Sequence, residues 1–168
     1  MKSRLIASVA LSAVVLLGTT GCTFITPQST KISYSPSDGV NVVDSAGPLE
    51  VRNAMIIATE DGSTGNLVAA IVNPTDEKAT LTVEIEGLDP LTVRVGANDT
   101  VSLGANAEPV LIEGLNTIPG ATIEMYFQSG DATGAVADIP VLDGTLPYYA
   151  DLVPTPVEEE TAGEAPAN

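Results

Sequence analysis

The chain contains no histidine and no tryptophan, a single cysteine, and six basic residues against 22 acidic ones. Without histidine, the commonest general base, the commonest metal ligand and every Ser-His arrangement are gone at once. One cysteine allows no intramolecular disulfide, although a small exported domain would gain from one. Aromatic residues make up 4% of the chain, so a core must be built from Val, Ile, Leu and Ala, and large stacking platforms are excluded. The basic residues are Lys2, Arg4, Lys31, Arg52, Lys78 and Arg94. Once an N-terminal segment carrying the first two is removed, four basic residues face 22 acidic ones, a formal charge of −18. Every phosphate contact needs a Lys or Arg to replace a counterion, so nucleic acid is not an expected partner. The acidic surplus reads as a soluble, non-sticky surface at the cell exterior.

What is present begins with an export signal. Lys2 and Arg4 form a basic start, Leu5 to Leu17 an apolar stretch, and Gly18, Thr19, Thr20 and Gly21 lead to the only cysteine, Cys22. That is the layout of a secretory signal, and the apolar stretch is too short for a permanent membrane span. The run GTTGC resembles the bacterial lipobox, in which small residues precede a cysteine that is lipidated before the signal is cut away. Cys22 is the matching position; Thr19 stands where lipoboxes usually carry Leu. Residues 1–21 are therefore expected to be a signal peptide. Cys22 is expected to be a lipid attachment site holding the chain on the outer face of the cytoplasmic membrane, since two acyl chains suffice for stable anchoring.

Residues 22–38 are rich in Thr, Ser and Pro and read as a tether. Residues 146–168 read as an acidic, Pro-rich tail, disordered beyond about Val153 for want of apolar residues. Between them, residues 39–145 show period-two alternation broken by turn residues, with no sustained helical stripe. In LEVRNAMIIAT, alternation puts Leu49, Val51, Met55 and Ile57 on one face. In ATLTVEIE it puts Ala79, Leu81, Val83 and Ile85 opposite Thr80, Thr82, Glu84 and Glu86. ATIEMYFQ turns Ala121, Ile123, Met125 and Phe127 inward. Leu67 to Val72 is apolar at both parities, as befits a central strand covered on both sides. Shorter strands are expected at Leu91–Val95, Thr100–Leu103 and Val110–Ile112. Pro140 marks GAVADIPVL as an edge or a bulge, because proline cannot donate to a ladder. Turns are expected at Asp61-Gly62, Asn73-Pro74, Asp89-Pro90, Gly96, Pro119-Gly120, Gly130-Asp131 and Asp143-Gly144. Seven to nine short strands predict an all-β fold, a single antiparallel sandwich of immunoglobulin-like architecture, with a barrel as the alternative.

No constellation for chemistry stands out, so neither catalytic residues, a cofactor nor a metal is expected and the chain is not expected to be an enzyme. Glu84 and Glu86 share a strand face, but an alternating solvent face accounts for both. The acidic turns Glu60 to Asn66, Asn73 to Glu77 and Ser129 to Gly134 hold oxygen ligands, yet none has the Asp-x-Asp-x-Asp spacing of a calcium loop. Asn98-Asp99-Thr100 is a short sequon match. Leu146-Pro147-Tyr148-Tyr149 is the nearest approach to a loop that holds a flipped base, on a chain with no basic groove to go with it.

With the signal, the tether, VRNAMIIATEDGSTGNLVAAIVNPTDEKATLTVEI and PVLDGTLPYYADLVPTP together, the chain resembles the small actinobacterial lipoproteins of unassigned function. More distantly, its sandwich is similar to that of the periplasmic copper chaperones called PCu(A)C. That second resemblance implies Cu(I) held by Met and His at a shared mouth, for which soft thioethers are suited. The histidines are absent, and Met55 and Met125 fall on inward parity, where core packing accounts for them. The expectation is a membrane-anchored lipoprotein with a non-catalytic domain that binds an envelope protein or cell-wall component. A small-ligand or copper-type metal carrier is the alternative.

Overall fold

A computed structural model describes residues 37–43 and 46–155. The expected signal peptide, Cys22, most of the expected tether and the last part of the expected tail lie outside the described residues. Among the described residues, eight strands form one mixed, nearly closed, sandwich-like sheet with almost no helix: β1 Glu50–Ala58, β2 Thr64–Val72, β3 Ala79–Ile85, β4 Leu91–Val95, β5 Thr100–Leu103, β6 Val110–Glu113, β7 Thr122–Ser129 and β8 Ala135–Leu142. Their order is β4-β3-β7-β8-β1-β2-β5, with β6 also paired to β2.

The all-β class and the strand count are as expected, but the wholly antiparallel arrangement is corrected at one place. β8 pairs antiparallel with β7 from Ala135 to Pro140, then continues parallel to β1, with Val141 opposite Ile56 and Leu142 opposite Ile57. Pro140 stands at this change of partner, inside the strand order. Pro140 pairs with Thr122 and bonding to the β7 side continues past it, the Val141 N–H donating to the Ala121 carbonyl at 3.0 Å, so the proline lies within the sheet and not at the expected edge or bulge.

The core follows the alternation of β3 and β7. Leu81, Val83, Met125 and Phe127 are fully buried and join Ile139, Val141, Ile71 and Leu67 in one cluster. In β2, Gly65, Leu67, Ala69 and Ile71 are buried while the alternate residues are half-buried, so both faces of this central strand are covered.

β1 departs from simple alternation. Its register with β2 shifts between Arg52 and Met55, and Asn53 takes a left-handed φ of 51°. An extra residue in one strand of a pair reverses the face of everything after it. Leu49 and Val51 therefore enter the main core, and after the bulge Ala54, Ile56 and Ala58 take over that role. Met55 and Ile57 turn to the opposite face, which corrects the expectation that the four apolar residues share one side. The Asn53 side chain fixes the bulge by accepting the Gly39 N–H at 2.9 Å, while its own N–H donates to Asn41 Oδ1 at 2.9 Å. Gly39 is required here, since a Cβ would lie 2.6 Å from the Asn53 carbonyl.

The face carrying Met55 and Ile57 is covered by the chain after β8. Tyr149 is buried against these two residues, with Val68, Leu142, Leu152 and Val153 packed around them, and a short 3₁₀ turn at Ala150–Leu152 shapes the strap. The Asn66 side-chain amide donates to the Leu152 carbonyl at 2.9 Å. The segment expected to begin a tail at 146 thus belongs to the packed domain as far as Val153.

Candidate functional site

The residues singled out in the sequence for chemistry have structural work to do. In the turn from Glu60 to Asn66, Asp61 Oδ1 accepts the Thr59 hydroxyl at 2.6 Å, the Ser63 hydroxyl at 2.9 Å and the Ser63 N–H at 3.1 Å. The Thr59 hydroxyl first, and then the Ser63 donors, hold the Asp61 carboxyl below its ordinary value. In the turn from Asn73 to Glu77, Asn73 is buried, and its amide donates to the carbonyls of Glu77 and Gly96, both at 2.7 Å. Its Oδ1 accepts the Thr75 hydroxyl at 2.7 Å, and Asn98 of the sequon donates to Asp76 at 2.8 Å. These bonds clamp the β2–β3 turn to the β4–β5 turn. In the third turn Ser129 is buried, donating to the Ala46 carbonyl and accepting the Leu49 N–H, both at 3.2 Å. Among the described residues no group of three or more His, Cys, Asp or Glu side chains is placed to hold a metal.

Glu84 lies on the outer face of β3, as alternation requires, and Glu86 stands in the turn that follows the strand. They line a shallow depression of about 540 Å³ with Ile123, Glu124, Tyr126 and Val136. Across the ladders Glu84 faces Tyr126, which faces Val136, and Glu124 faces Asp138. Like charges directly opposite on a sheet repel, so this face is acidic at some cost in stability. The Tyr126 hydroxyl is committed to the Thr133 carbonyl at 2.7 Å, where its ring fills the space over Gly134.

A different concavity, of about 370 Å³, is built where the strap meets the β6–β7 loop. Asp38, Pro119, Gly120, Leu142, Asp143, Leu146 and Tyr149 line it. The Tyr149 hydroxyl donates to Asp38 Oδ2 at 2.6 Å, joining the start of the described domain to its strap. Burial first, and then the hydrogen bond to the Asp38 carboxylate and its charge, push the Tyr149 phenol well above its usual range. Asp143 Oδ1 accepts the Thr145 N–H at 3.0 Å. Next to Tyr149, Tyr148 is exposed and meets its ring edge-on with centroids 4.5 Å apart. Sequence reasoning passed over this cavity because Asp38 and Tyr149 are 111 residues apart. The available signal was the apolar set Leu142, Leu146, Tyr149, Leu152 and Val153 in a segment otherwise acidic and Pro-rich.

Comparison with known proteins places the fold only distantly. No protein-family model matches the chain, and no curated protein does. Among solved structures, the apo PCuAC domain from PmoF1 is 19% identical with a TM-score of 0.47, covering 57% of this chain and 94% of that one. The copper-bound PCuAC domain from PmoF2 is 14% identical with a TM-score of 0.47, covering 61% of this chain and 97% of that one. The apo PmoF2 PCuAC domain is 13% identical with a TM-score of 0.48, covering 63% and 97% respectively. The structural neighbours are thus PCuAC domains, at a likeness that carries no argument about the site. The two methionines that a thioether site would draw on are in the interior: Met125 in the main core and Met55 in the cluster under the strap.

Proposed function

We propose that the chain is an exported lipoprotein, anchored through Cys22 to the outer face of the cytoplasmic membrane, and that its all-β domain is a non-catalytic module binding an envelope protein or cell-wall component. The observation that carries the anchor is a coincidence at one point in the sequence. The basic start, the short apolar stretch and the small residues all converge on the only cysteine of the chain. For the domain, the support is that Asp61, Asn73 and Ser129, the polar groups at the heart of the three acidic turns, are each used in holding turns and termini together. The surface features left over, an acidic sheet face and an open concavity beside a loop, are those of a binding module.

The anchor is tested by phase partition and intact mass of the whole chain expressed in an actinobacterium beside Cys22→Ala. The expected result is wild type in the detergent phase with an acylated N-terminal peptide starting at Cys22, and the variant in the aqueous phase. Both proteins in the aqueous phase would show that Thr19 spoils the lipobox and that the chain is freely secreted. Copper-type carriage, the alternative, needs soft donors at an accessible mouth. Met55 and Met125 are 2% and 0% exposed. Titration with Cu(I) is therefore expected to leave the unfolding midpoint unmoved, and a clear upward shift would restore the carrier reading.

A further inference from the structure

We propose that the cavity between the strap and the β6–β7 loop is a socket for a basic side chain, lysine or arginine, presented by a protein partner. The inference rests on the reading of the domain as a binding module and gives that module a site. Its volume, about 370 Å³, lies at the low end for ligand pockets and suits one long side chain better than a cofactor. Asp38 and Asp143 supply carboxylates, and each is oriented by a hydrogen bond that leaves its charge in place: Tyr149 on Asp38 at 2.6 Å and the Thr145 N–H on Asp143 at 3.0 Å. Pro119, Leu142 and Leu146 provide aliphatic walls against which the methylene stem of a Lys or Arg packs while its charged head reaches the carboxylates. None of the basic side chains Arg52, Lys78 and Arg94 lines the cavity.

The rim points to a protein and not to a free amine. Six large apolar side chains are exposed among the described residues, and three of them, Ile118, Leu146 and Tyr148, line this cavity or adjoin its lining residues in sequence. Leu146 lines the pocket, and the exposed Tyr148 and Ile118 stand next in the chain to the lining Tyr149 and Pro119, the kind of residues that keep water from an anchor side chain entering a pocket. The formal charge of −18 on the chain from Cys22 onward favours approach of a basic partner over the whole surface, and the socket gives that attraction a place to end.

The probe is Nα-acetyl-arginine methylamide, titrated at low salt into the whole ¹⁵N-labelled chain, with the citrulline analogue as a neutral isostere. The expected result is amide shifts confined to Gly120, Leu142, Asp143, Leu146 and their neighbours, absent with citrulline. Asp143→Asn keeps the acceptor for Thr145 and is expected to weaken binding about threefold, the size of an exposed ion pair. Glu124→Gln on the acidic sheet face should leave it unchanged. Equal shifts with citrulline, no effect of Asp143→Asn, or shifts centred on Glu84, Tyr126 and Val136 would each overturn the socket. Crosslinking in cells separates the inference from the reading beneath it. If Asp143→Asn combined with Tyr148→Ala recovers the same partner as wild type, the socket fails and the binding module stands. If wild type recovers only general membrane proteins, both fail.

Discussion

Tyr149 offers the sharpest test of how the strap is held. The residue is 8% exposed, its ring lies on Met55 and Ile57, and its hydroxyl donates to Asp38 at 2.6 Å. Tyr149→Phe keeps the ring and removes one hydrogen bond to a charged acceptor that water still reaches, a loss of about 1–1.5 kcal/mol. Tyr149→Ala also removes the ring from its cluster, which brings the loss to about 3–4 kcal/mol for a buried aromatic. The pH dependence has a definite sign. Because the folded phenol titrates above its ordinary value of 10.0, its contribution is complete below pH 10 and declines as pH rises past that value, where the unfolded chain loses the proton first. The slope in that window is about 1.4 kcal/mol per pH unit for one group. Urea unfolding of wild type and Tyr149→Phe between pH 7 and pH 11 checks this: the difference between them should be constant to about pH 10 and shrink above it. Hydrogen exchange should show the β1 amides around Met55 and Ile57 losing protection in Tyr149→Ala while β3 and β7 keep theirs. A constant difference throughout the alkaline range, or equal loss of protection in every strand, would refute the account of a strap held by this contact.

Three further outcomes follow from single residues. Asn53→Asp keeps both the left-handed backbone and the acceptor for Gly39 and should cost under about 1 kcal/mol, whereas Asn53→Val loses the hydrogen bond and adds β-branched strain at positive φ, about 2–3 kcal/mol in urea unfolding. Asn73→Ala removes the buried amide that donates to the carbonyls of Glu77 and Gly96 and should cost about 1–2 kcal/mol, with the two clamped turns gaining mobility by ¹⁵N relaxation. Millimolar Ca²⁺ should leave the unfolding midpoint unchanged, since Asp61 Oδ1 is already occupied by three local donors; a rise abolished by Asp61→Asn would restore a calcium loop.

Much of the fold is legible from alternation because most strands here present one wet face and one dry one. β4 and β5 run as expected from Leu91 to Val95 and from Thr100 to Leu103. β3 and β7 bury Leu81, Val83, Ile85, Met125 and Phe127 as period two assigns them, with Ala79, Ala121 and Ile123 at the strand ends half-buried. Alternation fails where the physics is not local. In β1 an Asn among apolar residues reads as an interruption of the pattern, when it is the bulge that reassigns the pattern. Asn tolerates positive φ better than any other residue with a side chain except Asp, so an Asn inside an apolar strand is itself a reason to count parity separately on each side of it. The parallel pairing of β1 with β8 has no sequence signature, since it joins residues as far apart in the chain as Ile56 and Val141.

The candidate cavity was illegible for a related reason. Its existence depends on the strap, and the strap depends on the bulge. Only after Met55 and Ile57 are turned outward does the domain carry an apolar patch outside its main core, and the chain after Leu142 folds back to cover it with Tyr149, Leu152 and Val153. That return brings Tyr149 to Asp38, sets Leu146 in one concavity with Pro119 and leaves Tyr148 exposed. A segment with this few apolar residues has too little to bury by itself, and composition alone assigns it to a tail. It becomes structure because β1 supplies the missing half of its core, so the cavity could be found only after the parity of a strand about 90 residues upstream had been settled.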